Sequence, residues 1–157
     1  MVGSRHVVVF TIAGQRYGLR LGAVERVLPA VEVVPLPRAP EVVLGVINLQ
    51  GRIIPLVDIR SRFGLPAREI DLADHIIVAR SARRTVALLA ERVEGPGAYS
   101  EEETIPAAAV LPGTPYLEGV VALPDGMVLI HDLDAFLSLE EEAALTSALG
   151  APSDARP

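Results

Sequence analysis

"HVVVFTIAGQRYGLRLGAVE" (residues 6–25) returns 69 positions later as "HIIVARSARRTVALLAERVE" (75–94). His6 meets His75, Val9 meets Val78, Leu19 meets Leu88, Val24 meets Val93 and Glu25 meets Glu94. A second pair follows in the same order at an offset of 74: "GVINLQGRIIPLVDIRSRF" (45–63) and "GVVALPDGMVLIHDLDAFL" (119–137), with Gly45/Gly119, Val46/Val120, Leu49/Leu123 and Asp58/Asp132 in register. Two ordered matches make an internal duplication the better reading of a valine-rich chain. The change of offset places five extra residues in the second copy, within a long connection over about 95–118.

Each copy has a common plan. One strand (6–13) turns at Ala13-Gly14-Gln15 into a second (16–21), and a third follows at about 23–28. A proline-rich connection (35–41) leads to a hairpin of strands 43–50 and 52–57, turning near Gly51. Asp58 is expected to cap a short helical turn that stops at Gly64 and Pro66, and Asp132 sits at the equivalent point of the second copy, before a turn over 133–137. Valine and isoleucine dominate the apolar runs, which favours strands. Five short strands per copy predict a mainly β fold of two pseudo-symmetric SH3-like barrels on a shared core, since closure removes the edges of so apolar a sheet. The expected bounds are a single domain over 1–143, with a first barrel over about 6–66 and a second over about 72–137. A C-terminal helix capped by Ser138 and a frayed tail then occupy 138–157.

Bulk properties narrow the function. The 157 residues carry a net charge of −6, which disfavours a nucleic-acid surface. There is no cysteine, so disulfides and thiolate metal sites are excluded. No run reaches the roughly 20 apolar residues of a membrane span, and the N-terminus reads as a first strand rather than a signal peptide. Cytoplasmic residence is the expectation.

No nucleophile elbow, zinc-protease helix, P-loop or dinucleotide fingerprint is present. The one candidate reaction centre is "HDLD", where His131, Asp132 and Asp134 could act as metal ligands. Against it, Asp58 and Asp132 occupy matched positions where a helix cap belongs. His6 and His75, matched at strand entries, read as structural. Pro35, Pro37 and Pro40 lie between two strands and read as a stiff connection rather than a polyproline ligand. The residues thus point to a non-catalytic binding module without cofactor or metal.

The chain resembles the CheW family of chemotaxis coupling proteins over about residues 5–140. The most specific element is G-V-x-N-L-x-G-x-I-x-P-x-x-D-x-R-x-x-F, met from Gly45 to Phe63. The resemblance implies two five-stranded barrels, no enzymatic activity, and an adaptor joining a CheA-type histidine kinase to the cytoplasmic tips of methyl-accepting receptors. It further implies recruitment to membrane-associated arrays and rings formed with partners, while the small mixed-charge surface is compatible with a chain monomeric alone. On that basis, groove contacts are expected at Val24, Val27, Ile47 and Leu49, with Arg26 and Gln50 tuning specificity. The kinase's regulatory domain is expected at a barrel end around Pro35, Pro37, Pro40 and Val42. Relatives commonly carry a glutamate where this chain has Arg26 and an arginine where it has Gln50. Glu25 lies beside that site, but neighbouring side chains on a strand face opposite ways, so the relatives' ion pair is not expected to be re-made in place. An adaptor of a divergent array, serving twitching or gliding motility, is the alternative within the family.

Overall fold

The computed structural model describes residues 4–106, 109, 116–124 and 126–155. Among the described residues there are eleven strands: β1 (Ser4–Ile12), β2 (Gln15–Arg20), β3 (Val24–Pro29), β4 (Val43–Leu49), β5 (Arg52–Val57), β6 (His75–Arg80), β7 (Thr85–Ala90), β8 (Arg92–Ser100), β9 (Thr104–Pro106), β10 (Leu117–Leu123) and β11 (Gly126–His131). They are joined by helices that include α1 (Ile59–Arg62) and α2 (Leu139–Ala155). The connection expected over 95–118 contains the end of β8 and all of β9, and its positions 107–108 and 110–115 lie outside the described residues. Helix α2 runs on to Ala155, into the stretch expected to be a frayed tail, whose last two positions are also outside.

The strands form two sheets, of order β8-β1-β2-β11-β10-β9 and β3-β6-β7-β5-β4. Neither sheet corresponds to one contiguous copy, as the bounds 6–66 and 72–137 had it. Each takes its first hairpin from one copy and its last hairpin from the other. The physical reason is the parallel pairing of β2 with β11 and of β5 with β7, which joins Gly18 to Ile130 and Ala87 to Leu56. A parallel partner cannot be reached by a tight turn, so the chain crosses over to the other sheet between the two strands. The duplication is kept in the pairing itself. Bulges interrupt β3 against β6 between Val24 and Arg26, and β8 against β1 at the matched place.

Two of the repeated glycines have a packing reason. A Cβ on Gly45 would stand 2.4 Å from the carbonyl oxygen of Val34, and one on Gly119 would stand 2.7 Å from Cγ2 of Thr104. Both let an outer segment lie against the sheet: Val34 bridges to Val46, and β9 pairs Ile105 with Val120.

Three apolar clusters follow from the alternation of faces. One lies on the five-stranded sheet (Ile47, Leu49, Ile54, Leu56, Ile76, Val78, Ala87), and its counterpart lies on the six-stranded sheet (Val7, Val9, Tyr99, Val121, Val128, Ile130). The third draws on both sheets, from Phe10, Leu19, Ile77, Leu88 and Val57, and is closed by Phe136 and by Leu145 of α2. Helix α2 begins in a reciprocal cap: Ser138 Oγ accepts the Glu141 N–H at 3.0 Å, and Glu141 accepts the Ser138 N–H at 2.9 Å. Ion pairs from Arg62 to Glu141 and from Arg84 to Glu142 hold its first turn to α1 and to the β6–β7 turn.

Candidate functional site

The predicted contact residues fall at two ends of the five-stranded sheet. At the first end, β3 begins beside the β4–β5 hairpin. Val24 packs half-buried against the shared core, whereas Arg26 and Val27 are exposed. Gln50 and Gly51 form the hairpin tip with φ of 52° and 90°, and Asn48 Oδ1 accepts the Gly51 N–H at 2.8 Å. That left-handed pair matches the twist of the strands it joins and holds the Gln50 side chain in solvent. Ile47 and Leu49 are not surface groups: they are 1% and 8% exposed and pack inside the sheet's own cluster. Their contribution is to fix the hairpin that carries Gln50.

An ion pair also stands at this end, but between other positions than the relatives' pair at 26 and 50. Glu25 Oε1 accepts from Arg52 Nη1 at 3.1 Å, and Arg52 Nη2 donates to Thr85 Oγ1 at 3.3 Å. The bulge between Val24 and Arg26 supplies the reason, because an extra residue re-aims its side chain out of the regular alternation. β3, β5 and β7 are thereby tied together near their starts. Arg26 makes no hydrogen bond or ion pair among the described residues, so it offers an unpaired guanidinium beside Val27.

At the second end lies the proline-rich connection. Pro35 and Pro37 are exposed, Pro40 is half-buried and Val42 is 3% exposed. Pro37 and Arg38 form a turn in which the Ala39 N–H reaches the Leu36 carbonyl at 3.3 Å, with Arg38 at φ 67°. Pro40 accepts from Val43 N–H at 2.9 Å and Val42 accepts from Asp58 N–H at 2.7 Å. The prolines fix φ along the connection, and these hydrogen bonds tie it to β4 and to the start of α1. Val42 anchors it from below and presents no surface.

The groups of the His131 cluster are engaged within the fold. His131 is 2% exposed among the rings of Phe10, Tyr17, Phe63 and Phe136, with centroids 5.0–5.6 Å away, and neither ring nitrogen has a hydrogen-bond partner. Burial holds its pKa down at about 3, so the ring is neutral. Asp132 Oδ1 accepts the Asp134 N–H at 3.2 Å, capping a 3-10 turn as Asp58 caps α1. Asp134 Oδ1 accepts the Ala82 N–H at 2.6 Å. Among the described residues, no three His, Cys, Asp or Glu side chains converge to hold a metal ion. His6 is exposed and His75 half-buried, on strands of different sheets.

What the sequence did not signal is the apolar surface around these two ends. Val31, Val34, Leu44 and Ile53 are 39%, 51%, 37% and 54% exposed. Ile53 and its repeat partner Met127, at 57%, are the clearest cue, since both stand at the same outward position of a repeated strand.

Comparison with known proteins agrees with this architecture. The chain is 33% identical over 145 residues to the chemotaxis protein CheW of Rhizobium meliloti, covering 90% of this chain and 94% of that one. It is 30% identical over 142 residues to the chemotaxis protein CheW of Klebsiella aerogenes, covering 89% and 86%. The crystal structure of the scaffolding protein TtCheW from Thermoanaerobacter tengcongensis superposes with a TM-score of 0.79 at 29% identity, over 87% of this chain and 94% of that one. The CheW-like domain matches residues 6–141, and on that match, together with these relatives, the chain belongs to the CheW-like domain family.

Proposed function

We propose that this protein is a non-catalytic adaptor coupling the cytoplasmic tips of methyl-accepting receptors to a CheA-type histidine kinase, working in the cytoplasm at receptor arrays. The observation that carries the reading is likeness, over 87–90% of this chain, to chemotaxis CheW proteins and to a scaffolding structure. The rest of the molecule supports it. In "HDLD", His131 is buried among aromatic rings, Asp132 caps a turn and Asp134 accepts the Ala82 N–H, while apolar surface is left outside. Among the described residues, no helix is long and apolar enough to cross a membrane.

The receptor-side contact is assigned to the first end, with Val27 and the rim of Val24 as apolar contacts and Arg26 and Gln50 selecting the partner by charge. Ile47 and Leu49 act beneath it by holding the hairpin. The kinase-side contact is assigned to the second end, at Pro35, Pro37 and Pro40, with Val42 as their anchor. Co-purification of the chain with a receptor cytoplasmic fragment, and separately with the kinase's regulatory domain, tests the reading. Val27→Asp places a charge on a side chain already 40% exposed. The variant is expected to fold, to lose the receptor fragment and to keep the regulatory domain. Undiminished recovery of the receptor fragment by the folded variant overturns this assignment of the first end.

A further inference from the structure

A cleft of about 230 Å³ is lined from both sheets. The end of β2 supplies Leu19 and Arg20, the end of β6 supplies Arg80, β10 supplies Glu118, and the segment 131–134 closes it. The space is smaller than the roughly 300–1,000 Å³ of a site for a drug-sized ligand, so it suits a small molecule.

The fold does not use all the charges in this cleft. Arg20 Nε donates to Glu118 Oε1 at 2.6 Å, so these two answer each other. Arg80 makes no hydrogen bond or ion pair among the described residues. Asp132 and Asp134 each use Oδ1 to accept a backbone N–H, of Asp134 and of Ala82, and no hydrogen bond among the described residues reaches either Oδ2. One guanidinium and two half-used carboxylates therefore line the same space without pairing. His131, the most buried polar residue of the lining, likewise has no partner for either ring nitrogen.

The duplication shows which of these groups the scaffold requires. At the matched place, Leu88 stands for Leu19 and Asp58 for Asp132, so the core leucine and the capping aspartate recur. Arg80 is matched by Thr11, Glu118 by Leu44, His131 by Val57 and Asp134 by Arg60. Arg60 is moreover closed by an ion pair to Glu91. The same strand plan thus forms without the unpaired cation and without the second carboxylate, and folding does not account for their presence here.

Their chemistry defines a ligand. A guanidinium takes a carboxylate through paired N–H donors, and carboxylate oxygens take the N–H groups of an ammonium. A simple anion in this cleft would meet Asp132 and Asp134, and a simple cation would meet Arg80. A molecule carrying both charges answers both sides. We infer that the cleft is a binding site for a small amino acid, with its carboxylate on Arg80 and its ammonium on Asp132 and Asp134. Such binding is independent of the coupling function proposed above.

Titration of the isotope-labelled full chain with glycine, β-alanine and γ-aminobutyrate, followed by amide chemical shifts, tests it. Propionate and ethylamine, with one charge each, are the comparison. At least one of the three amino acids is expected to give saturable shifts at Ala23, Arg80 and Leu133, which line the cleft, with a millimolar or tighter dissociation constant. It should bind at least tenfold more tightly than propionate or ethylamine. Arg80→Gln and Asp134→Asn, the latter keeping an oxygen for the Ala82 N–H, are each expected to weaken it at least tenfold. Melting temperature and shifts away from the cleft should be unchanged in both. Absence of saturation by all three amino acids at tens of millimolar overturns the inference. So does equal binding of propionate or of ethylamine, which would make the cleft a site for a single charge, and so does binding within twofold by either variant.

Discussion

Replacing His131 with valine, the residue the first copy carries at the matched Val57, should make the protein less sensitive to acid. His131 is buried, neutral and without partners for either nitrogen, and its pKa is lowered from 6.5 to about 3. The unfolded chain therefore takes up a proton at this residue from pH 6.5 downwards, while the folded chain does not until about pH 3. Protonation favours the unfolded state throughout that window, and stability falls as the pH falls through it. At 1.36 kcal/mol per pKa unit, the loss between pH 7 and pH 4.5 is roughly 2.5 kcal/mol from this one ring. Near pH 7 the substitution has two opposing effects. Removing two unsatisfied buried nitrogens stabilises by about 1–3 kcal/mol. The smaller side chain leaves a gap among four aromatic rings, which costs a similar amount. The pH dependence is consequently the cleaner signal. Urea unfolding at pH 7, 6, 5 and 4.5 should show the two proteins close in stability at neutral pH and diverging below pH 6.5, with the variant ahead by roughly 2–3 kcal/mol at pH 4.5. Surface carboxylates titrate alike in both and drop out of the difference. Parallel stability curves across that range would refute the burial argument.

Two further outcomes follow from packing. Leu145→Ala removes a side chain of 0% exposure from the shared core. It should cost about 2–4 kcal/mol in a denaturant titration, showing that α2 is integral to the fold; a cost under about 0.5 kcal/mol would mean the helix is peripheral. Gly45→Ala forces a Cβ to within 2.4 Å of the Val34 carbonyl oxygen. Loss of the two hydrogen bonds between Val34 and Val46 should lower stability by about 1–3 kcal/mol, read as a drop in melting temperature, with faster amide exchange at Val34 and Val46.

The duplication was legible because each signal it needs is local. Hairpin glycines, the alternation of apolar residues and the caps at Asp58, Asp132 and Ser138 depend on near neighbours in the chain. Those elements stand within a residue or two of where the sequence put them, β2 at 15–20 rather than 16–21 and β3 at 24–29 rather than 23–28. The family pattern from Gly45 to Phe63 was readable for the same reason.

What the sequence could not decide is which strand lies beside which. Parallel pairing of β2 with β11 and of β5 with β7 joins residues more than 30 positions apart, and two copies with the same apolar pattern offer comparable partners within or between themselves. Burial of Ile47 and Leu49, enclosure of His131 by four rings, and the turning of Glu25 toward Arg52 by a bulge are all consequences of that choice. So is the cleft between the sheets, since Arg20 of one copy meets Glu118 of the other there. Periodicity determined what each segment is; only tertiary packing, which sums contacts between distant segments, decided which side chains remain outside to meet a partner.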